Sequence, residues 1–352
     1  MKIPRNTASP VPGRRRRGGA RTLLGVTAGA MALAIALPAT ASADVVATSL
    51  GPLPGGTLSA AFDINNIGST VGYSDTAQGV QHAVVWGPDG QAIDLGTLPG
   101  DTSSTAYTIN DQGTAIVGGS FIPGQGARAV KWDGQGAITQ LAAPTDATIS
   151  RAYAVNNVGT AVGFWTKADG LYRALRWTQN GAYTALPALP GDTASSAGWI
   201  NECGTTVGYS KTAAGVSRAV KWKPDGGVVR LKAVPGTTSS QASSINASNV
   251  IVGNAYVGTT SRAVKWNTDN TVTELPPLPG NTAASAYGVN DHGTVIGVSI
   301  DASGLHRAVK WSANGTITAL GNGDAFGVNN SGAVAGFAPT PAGPLVATLW
   351  KD

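Results

Sequence analysis

One cysteine, three histidines and two glutamates are all that 352 residues contain of those types. A lone thiol cannot close an internal disulfide, so Cys203 leaves stability to packing and reads as an inert turn residue; a reactive or intermolecular thiol is the alternative. His82, His292 and His306 are scattered, and neither a zinc spacing nor a calcium loop occurs, so no metal or cofactor is expected. A G-x-S-x-G elbow, a P-loop and a dinucleotide fingerprint are equally missing. Glu202 falls in a turn and Glu274 on a strand-like run, places that do not converge as a glycosidase pair must. No catalytic residue can be named.

Charge is scarce too, at 12% of residues, and it is unevenly placed. The formal net charge of +5 would suit a polyanion partner, but residues 1–43 hold seven of the 24 Lys and Arg and no acid. The remainder carries 17 cations against 19 acids, a formal −2, which offers no surplus for counterion release and argues against nucleic acid. The same 43 residues combine a basic start, the apolar run "TLLGVTAGAMALAIAL" and a closing Ala41-Ser42-Ala43. That pattern reads as a signal peptide cleaved before Asp44, with Sec or twin-arginine export left open. Beyond it no apolar run is long enough to span a bilayer, so an exported monomer without a membrane span is expected, in the medium or at the cell envelope.

Glycine, by contrast, is abundant at 48 residues, and it recurs in register. Asn65, Asn110, Asn156, Asn201, Asn246, Asn290 and Asn329 open seven units spaced by 45, 46, 45, 45, 44 and 39 residues. Trp86, Trp132, Trp177, Trp222, Trp266, Trp311 and Trp350 follow them by 20 to 22. Each unit divides into four short β-like runs, a to d, separated by Gly, Pro, Asn and Asp. Run a ends in Ile or Val and then Asn; the Asn side chain is expected to bond its own backbone two residues on, with a Gly (Asn249 in the fifth unit) taking positive φ. A further Gly in run b, such as Gly118, suggests a bulge or a close neighbour, with the Trp ring lying across it.

Four strands repeating at about 45 residues describe a propeller blade, so the expected fold is all-β: a seven-bladed β-propeller over residues 44–352. The last unit stops at "LWKD" without run d, whereas residues 45–57 align with d runs elsewhere. The N-terminal strand should therefore complete the last blade and close the ring.

With "IN..G..VGYS", "HAVVW" and "DLGTLPG" in view, the unit resembles the extracellular HAF repeat, most closely where His82-Ala83-Val84 and Asp94-Leu95-Gly96 stand. Later units write "RAVKW", as at Arg128–Trp132, in place of the tripeptide. The resemblance implies secretion and a repeat fold and brings no activity or catalytic residues.

Alternation on strand c separates Arg, Val and Trp from Ala and Lys, so "RAVKW" reads as a structural strand with Trp as an interblade wedge. Asp101, Asp192 and Asp324 in the d-to-a loops read as turn caps. The aromatic residues Phe121, Trp165, Tyr172, Trp199 and Tyr256 either flank the b-to-c links or depart from the template, and they are the candidate ligand contacts. The reading is a noncatalytic binding or interaction module for a polysaccharide, cell-wall or protein ligand. A carbohydrate-active hydrolase or lyase on the same fold, and a structural envelope protein, are the alternatives.

Overall fold

Each repeat folds into one antiparallel sheet, in blade 1 from strands Ser59–Ile64, Thr70–Asp75, Gln81–Trp86 and Ala92–Asp94. The computed structural model describes residues 45–352 apart from Pro123 and Gln125; the signal-peptide reading of residues 1–43 lies outside the described residues. There are seven such four-stranded sheets, and each strand a packs against the strands a of both neighbouring blades. The chain is a seven-bladed β-propeller. Blade 7 takes Asp324–Val328, Val334–Pro339 and Leu345–Lys351 from the C-terminal end and Val46–Ser49 as its outermost strand. Val46 sits opposite Lys351 and Ser49 opposite Thr348, the expected closure by strand exchange. Leu50 and Leu53 then turn inward, 8% and 6% exposed, onto a core that includes Trp86 of blade 1.

The blades are held together by side chains that the repeat supplies once per turn of the ring. Six of the seven strand-c tryptophans are 0–1% exposed, and Trp266 is 3% exposed. Among the described residues six of the seven, all but Trp350, donate the indole N–H across the blade boundary, as from Trp86 to the Gly51 carbonyl (2.9 Å), from Trp177 to Ala142 (2.6 Å) and from Trp311 to Pro276 (2.8 Å). Trp is thus the wedge expected, and it is also a hydrogen-bonded latch. The strand-b glycine is explained mainly by strand a, which carries a one-residue bulge opposite it, between Ala61 and Asp63 in blade 1. A Cβ on Gly72 would meet the Ala60 carbonyl at 1.9 Å and one on Gly118 the Thr105 carbonyl at 1.9 Å; the Trp132 ring lies beyond, at 3.0 Å from the latter.

The recurrent Asn does more than open its turn. Its Oδ1 accepts from the backbone N–H four residues on, as Asn201 does from Thr205 (2.9 Å), and not two residues on as expected, so the side chain spans the whole turn that the Gly204 N–H to Asn201 carbonyl bond closes (3.0 Å). Its Nδ2 donates to the next blade's Asn carbonyl: Asn156 to Asn201 (3.1 Å), Asn246 to Asn290 (3.0 Å) and, closing the circle, Asn329 to Asn65 (3.0 Å). Only Asn110 breaks the belt, turning to the Thr114 hydroxyl (3.0 Å). Asn246→Ala would strand a buried carbonyl and an N–H, so it is expected to cost about 1–3 kcal/mol in a urea titration, more than an exposed substitution such as Gln179→Ala.

Candidate functional site: the two mouths of the central channel

The channel opens at two faces whose chemistry differs. At the a-to-b turns, the residue after each recurrent Asn forms a second belt. Asn66 N–H donates to Asp111 (3.3 Å), Asp111 to Asn157 (2.8 Å), Asn157 to Glu202 (3.0 Å), Asp291 to Asn330 (3.0 Å) and Asn330 to Asn66 (2.8 Å). Ala247 has no side-chain acceptor, so the belt is interrupted at the Glu202 N–H. The three acids here are therefore built into the ring as backbone acceptors. Burial, aided by Asp111 and Asp291, raises the Glu202 carboxyl. Deeper in this mouth, burial pushes the Asp63 carboxyl up to about 7, against the opposing effect of its hydrogen bonds from backbone N–H groups. One of these comes from Ile109, at 3.1 Å. Trp199 lines the same mouth, a cavity of about 110 Å³. Among the described residues, no three His, Cys, Asp or Glu side chains converge as a metal site.

The opposite mouth is aromatic. The extra residue in each strand a is Phe62, Tyr107, Tyr153, Gly198, Ser243, Tyr287 or Phe326, and a bulge re-aims its side chain out of the blade. Five successive blades therefore bring five half-buried rings into one arc. Tyr287–Phe326, Phe326–Phe62, Phe62–Tyr107 and Tyr107–Tyr153 have centroids 5.1, 5.6, 5.8 and 5.3 Å apart. Gly198 and Ser243 leave the arc open at blades 4 and 5. Burial pushes the Tyr153 and Tyr287 hydroxyls up to about 12, so both remain donors.

The sequence candidates divide between these places. Tyr172 ends a chain of rings running outward from Tyr153 through Phe164, at 5.5 and 4.6 Å. Phe121 lies 5.0 Å beneath the Arg151 guanidinium, a group close enough to Tyr107 and Tyr153 to counter the rise of both hydroxyls. Tyr256 lies near Tyr287, whose hydroxyl it helps raise. Trp165 is 9% exposed and packs in the core between blades 2 and 3, with Arg173 5.2 Å above its ring; it is spent on packing. Trp199 is at the other mouth. The five arc residues escaped the sequence reading because an aromatic after Ala in a repeat looks like core. The irregular spacing that would have betrayed a bulge is identical in every unit.

The loop acids correct another expectation. Asp101 pairs with Arg128, Asp192 bonds Arg218 (3.0 Å) and the Ser210 hydroxyl (2.7 Å), and Asp324 bonds His306 (3.0 Å). They brace strand c of the disc instead of capping turns. Glu274 likewise pairs with Arg262 (3.2 Å), far in function from Glu202.

No protein-family profile matches the chain, and no curated protein matches it. Among solved structures it is similar to virginiamycin B lyase from Staphylococcus aureus, at 12% identity over 88% of this chain and 99% of that one, TM-score 0.56. It is also similar to TolB from Acinetobacter baumannii, at 12% identity over 83% of this chain and 66% of that one, TM-score 0.52. These similarities place the fold among propellers. Among the described residues, no helix is long and apolar enough to cross a membrane.

Proposed function

We propose that the protein is an exported, noncatalytic binding module whose aromatic mouth receives a glycan. The observation that carries this reading is the arc from Tyr287 to Tyr153. Half-buried rings on consecutive blades offer stacking faces to the C–H surfaces of sugars, and the Tyr153 and Tyr287 hydroxyls, kept protonated by burial, remain able to donate. The gap at Gly198 and Ser243 gives such a chain an exit from the mouth. Residues 1–43, with their leader pattern, support a site of action outside the cell membrane.

The test is a polysaccharide and cell-wall array probed with the purified protein, followed by titration of any hit against Phe62→Ala and Tyr153→Ala. Each substitution is expected to weaken binding about tenfold, with Trp165→Phe close to wild type. An array without a hit, or variants that bind normally, removes the aromatic mouth from the account.

A lyase or hydrolase on this fold is the second reading, favoured by the pair His306 and Asp324, which, unlike the His–Asp pair His82 and Asp94, has a member close enough to Tyr287 of the aromatic arc to raise its hydroxyl. Product release that disappears in His306→Ala would select it.

A further inference from the structure

The seven blades act as internal controls for one another, and blade 4 departs from the rest in charge. Opposite the valine or leucine of strand c, strand d places Asp94, Gln140, Ala185, Glu274 and Ala319 in blades 1, 2, 3, 5 and 6, but Arg230 in blade 4. Two residues further on, the same blades have Gly96, Ala142, Pro187, Pro276 and Gly321, against Lys232. After the recurrent Trp comes Lys223, where blades 1, 2, 3, 5 and 6 have Gly87, Asp133, Thr178, Asn267 and Ser312; blade 7 has a cation there too, Lys351, so it is the combination with Arg230 and Lys232 that sets blade 4 apart.

These three cations join Lys221 in lining one groove of about 580 Å³ between blades 4 and 5. No acid lines it. Of the other strand-c cations, Arg128, Arg173, Arg218, Arg262 and Lys310 each have a carboxylate, and Arg176 and Lys265 donate to carbonyls of the next blade. Lys131 and Arg307 stand singly, without a second cation of the kind that blade 4 adds beside Lys221. Among the described residues, none of the four groove cations makes an ion pair. Asp269 feels Lys232, but its Oδ1 already accepts from the Thr271 N–H (2.9 Å) and hydroxyl (2.6 Å). The groove is held in shape from beneath, because Trp266 donates its indole N–H to the Lys232 carbonyl (2.8 Å).

We propose that this groove is a second binding site, independent of the aromatic mouth, and that it takes an acidic polysaccharide. Four like charges in one cleft repel each other, and a counter-charged ligand removes that penalty. The remaining polar lining is Thr205, Asn249, Asn267, Thr268 and Asn270, amides and hydroxyls that match sugar hydroxyls in both directions. A nucleic acid would want exposed rings for its bases, and the one aromatic in the lining, Trp266, is 3% exposed. The net charge of residues 44–352, near neutral, hides this site from any reading of composition.

The experiment titrates the purified protein with a galacturonic acid decamer and with an uncharged glucose oligomer of equal length. Wild type is expected to bind the acidic oligomer, more weakly as salt rises, and to ignore the neutral one. The Arg230→Glu, Lys232→Glu variant is expected to lose about tenfold or more in affinity. Lys131→Glu, Lys351→Glu, which reverses cations elsewhere on the disc, is expected to keep it, as is Phe62→Ala, Tyr153→Ala; that last result separates this site from the aromatic mouth. Circular dichroism and the unfolding temperature of each variant check that it folds, and Arg230→Ala, Lys232→Ala replaces the reversal if it does not. No binding by wild type, or equal losses in both charge-reversal pairs, overturns the proposal. Poly-glutamate or single-stranded DNA of the same charge binding as tightly as the decamer overturns the polysaccharide assignment.

Discussion

Trp222→Ala is expected to remove about 3–5 kcal/mol from the folded state, a drop of about 10 °C or more in unfolding temperature. The indole is 0% exposed and sits where blades 3 and 4 meet, against Val162, Ala174, Leu186, Ile200 and Val220. Truncation opens a cavity in that seam, and it also strands the Pro187 carbonyl, which now accepts the indole N–H at 2.7 Å. Trp222→Phe refills most of the volume and loses only the latch, so a smaller loss of about 1–3 kcal/mol is expected. Lys221→Ala, from the same five-residue string, should stay within about 1 kcal/mol of wild type, since the side chain sits partly in solvent and makes no ion pair among the described residues. Arg218→Ala should fall between, at about 1–3 kcal/mol, because it leaves the Asp192 carboxylate, 1% exposed, to the Ser210 hydroxyl alone. Denaturant titration of the four variants orders them; a Trp222→Ala loss no greater than that of Lys221→Ala would contradict the wedge.

Asp63→Asn is expected to stabilise the protein at pH 8 and to make little difference at pH 4. The carboxyl is buried in the channel, and burial raises it from 3.8 to about 7. A raised carboxyl penalises the ionised form in the folded state. Stability from this group is therefore complete below about pH 4, falls as pH climbs towards 7, and stays reduced above it. The full difference corresponds to about 4 kcal/mol as an upper limit, which local rearrangement and water will lower. Asparagine keeps an acceptor for the Ile109 N–H and carries no charge, so its stability should be flat across the same window. Unfolding curves at pH 4, 6 and 8 measure the gap between the two proteins; a gap that does not widen with pH shows that Asp63 ionises freely where it is.

Periodicity made the fold legible, because Asn-to-Trp spacing survives even where Asn249 replaces Gly and Val346-Ala347-Thr348 replaces the basic string. Strand order, the innermost position of strand a and closure through Val46–Ser49 all follow from a unit that cannot bury its two faces alone. The candidate site was less legible. Tyr172, Phe121 and Tyr256 stood out by their place in or beside the b-to-c links, and they lie near the aromatic arc, whereas Trp165 and Trp199, which leave the template, do not join it. Phe62 and Tyr153 obey the template, so nothing in their spacing says that a bulge turns them towards the axis. The pairing of Arg128 with Asp101 was hidden for a different reason: the partners are 27 residues apart and meet only when strand c folds back beside its own loop.

The seam at blade 7 sets an order of events. Val46–Ser49 finds its partner in residues 348–351, so a chain leaving the ribosome can build blades 1 to 6 from neighbouring strands while its first strand waits. Until residue 351 is available, two unpaired strand edges are open to other copies of the chain. The waiting strand is itself exposed on all four residues, so little apolar burial drives it into place. Its seating falls to ladder hydrogen bonds and to Leu50 and Leu53 behind it, which makes this short segment the gate between a string of blades and a disc.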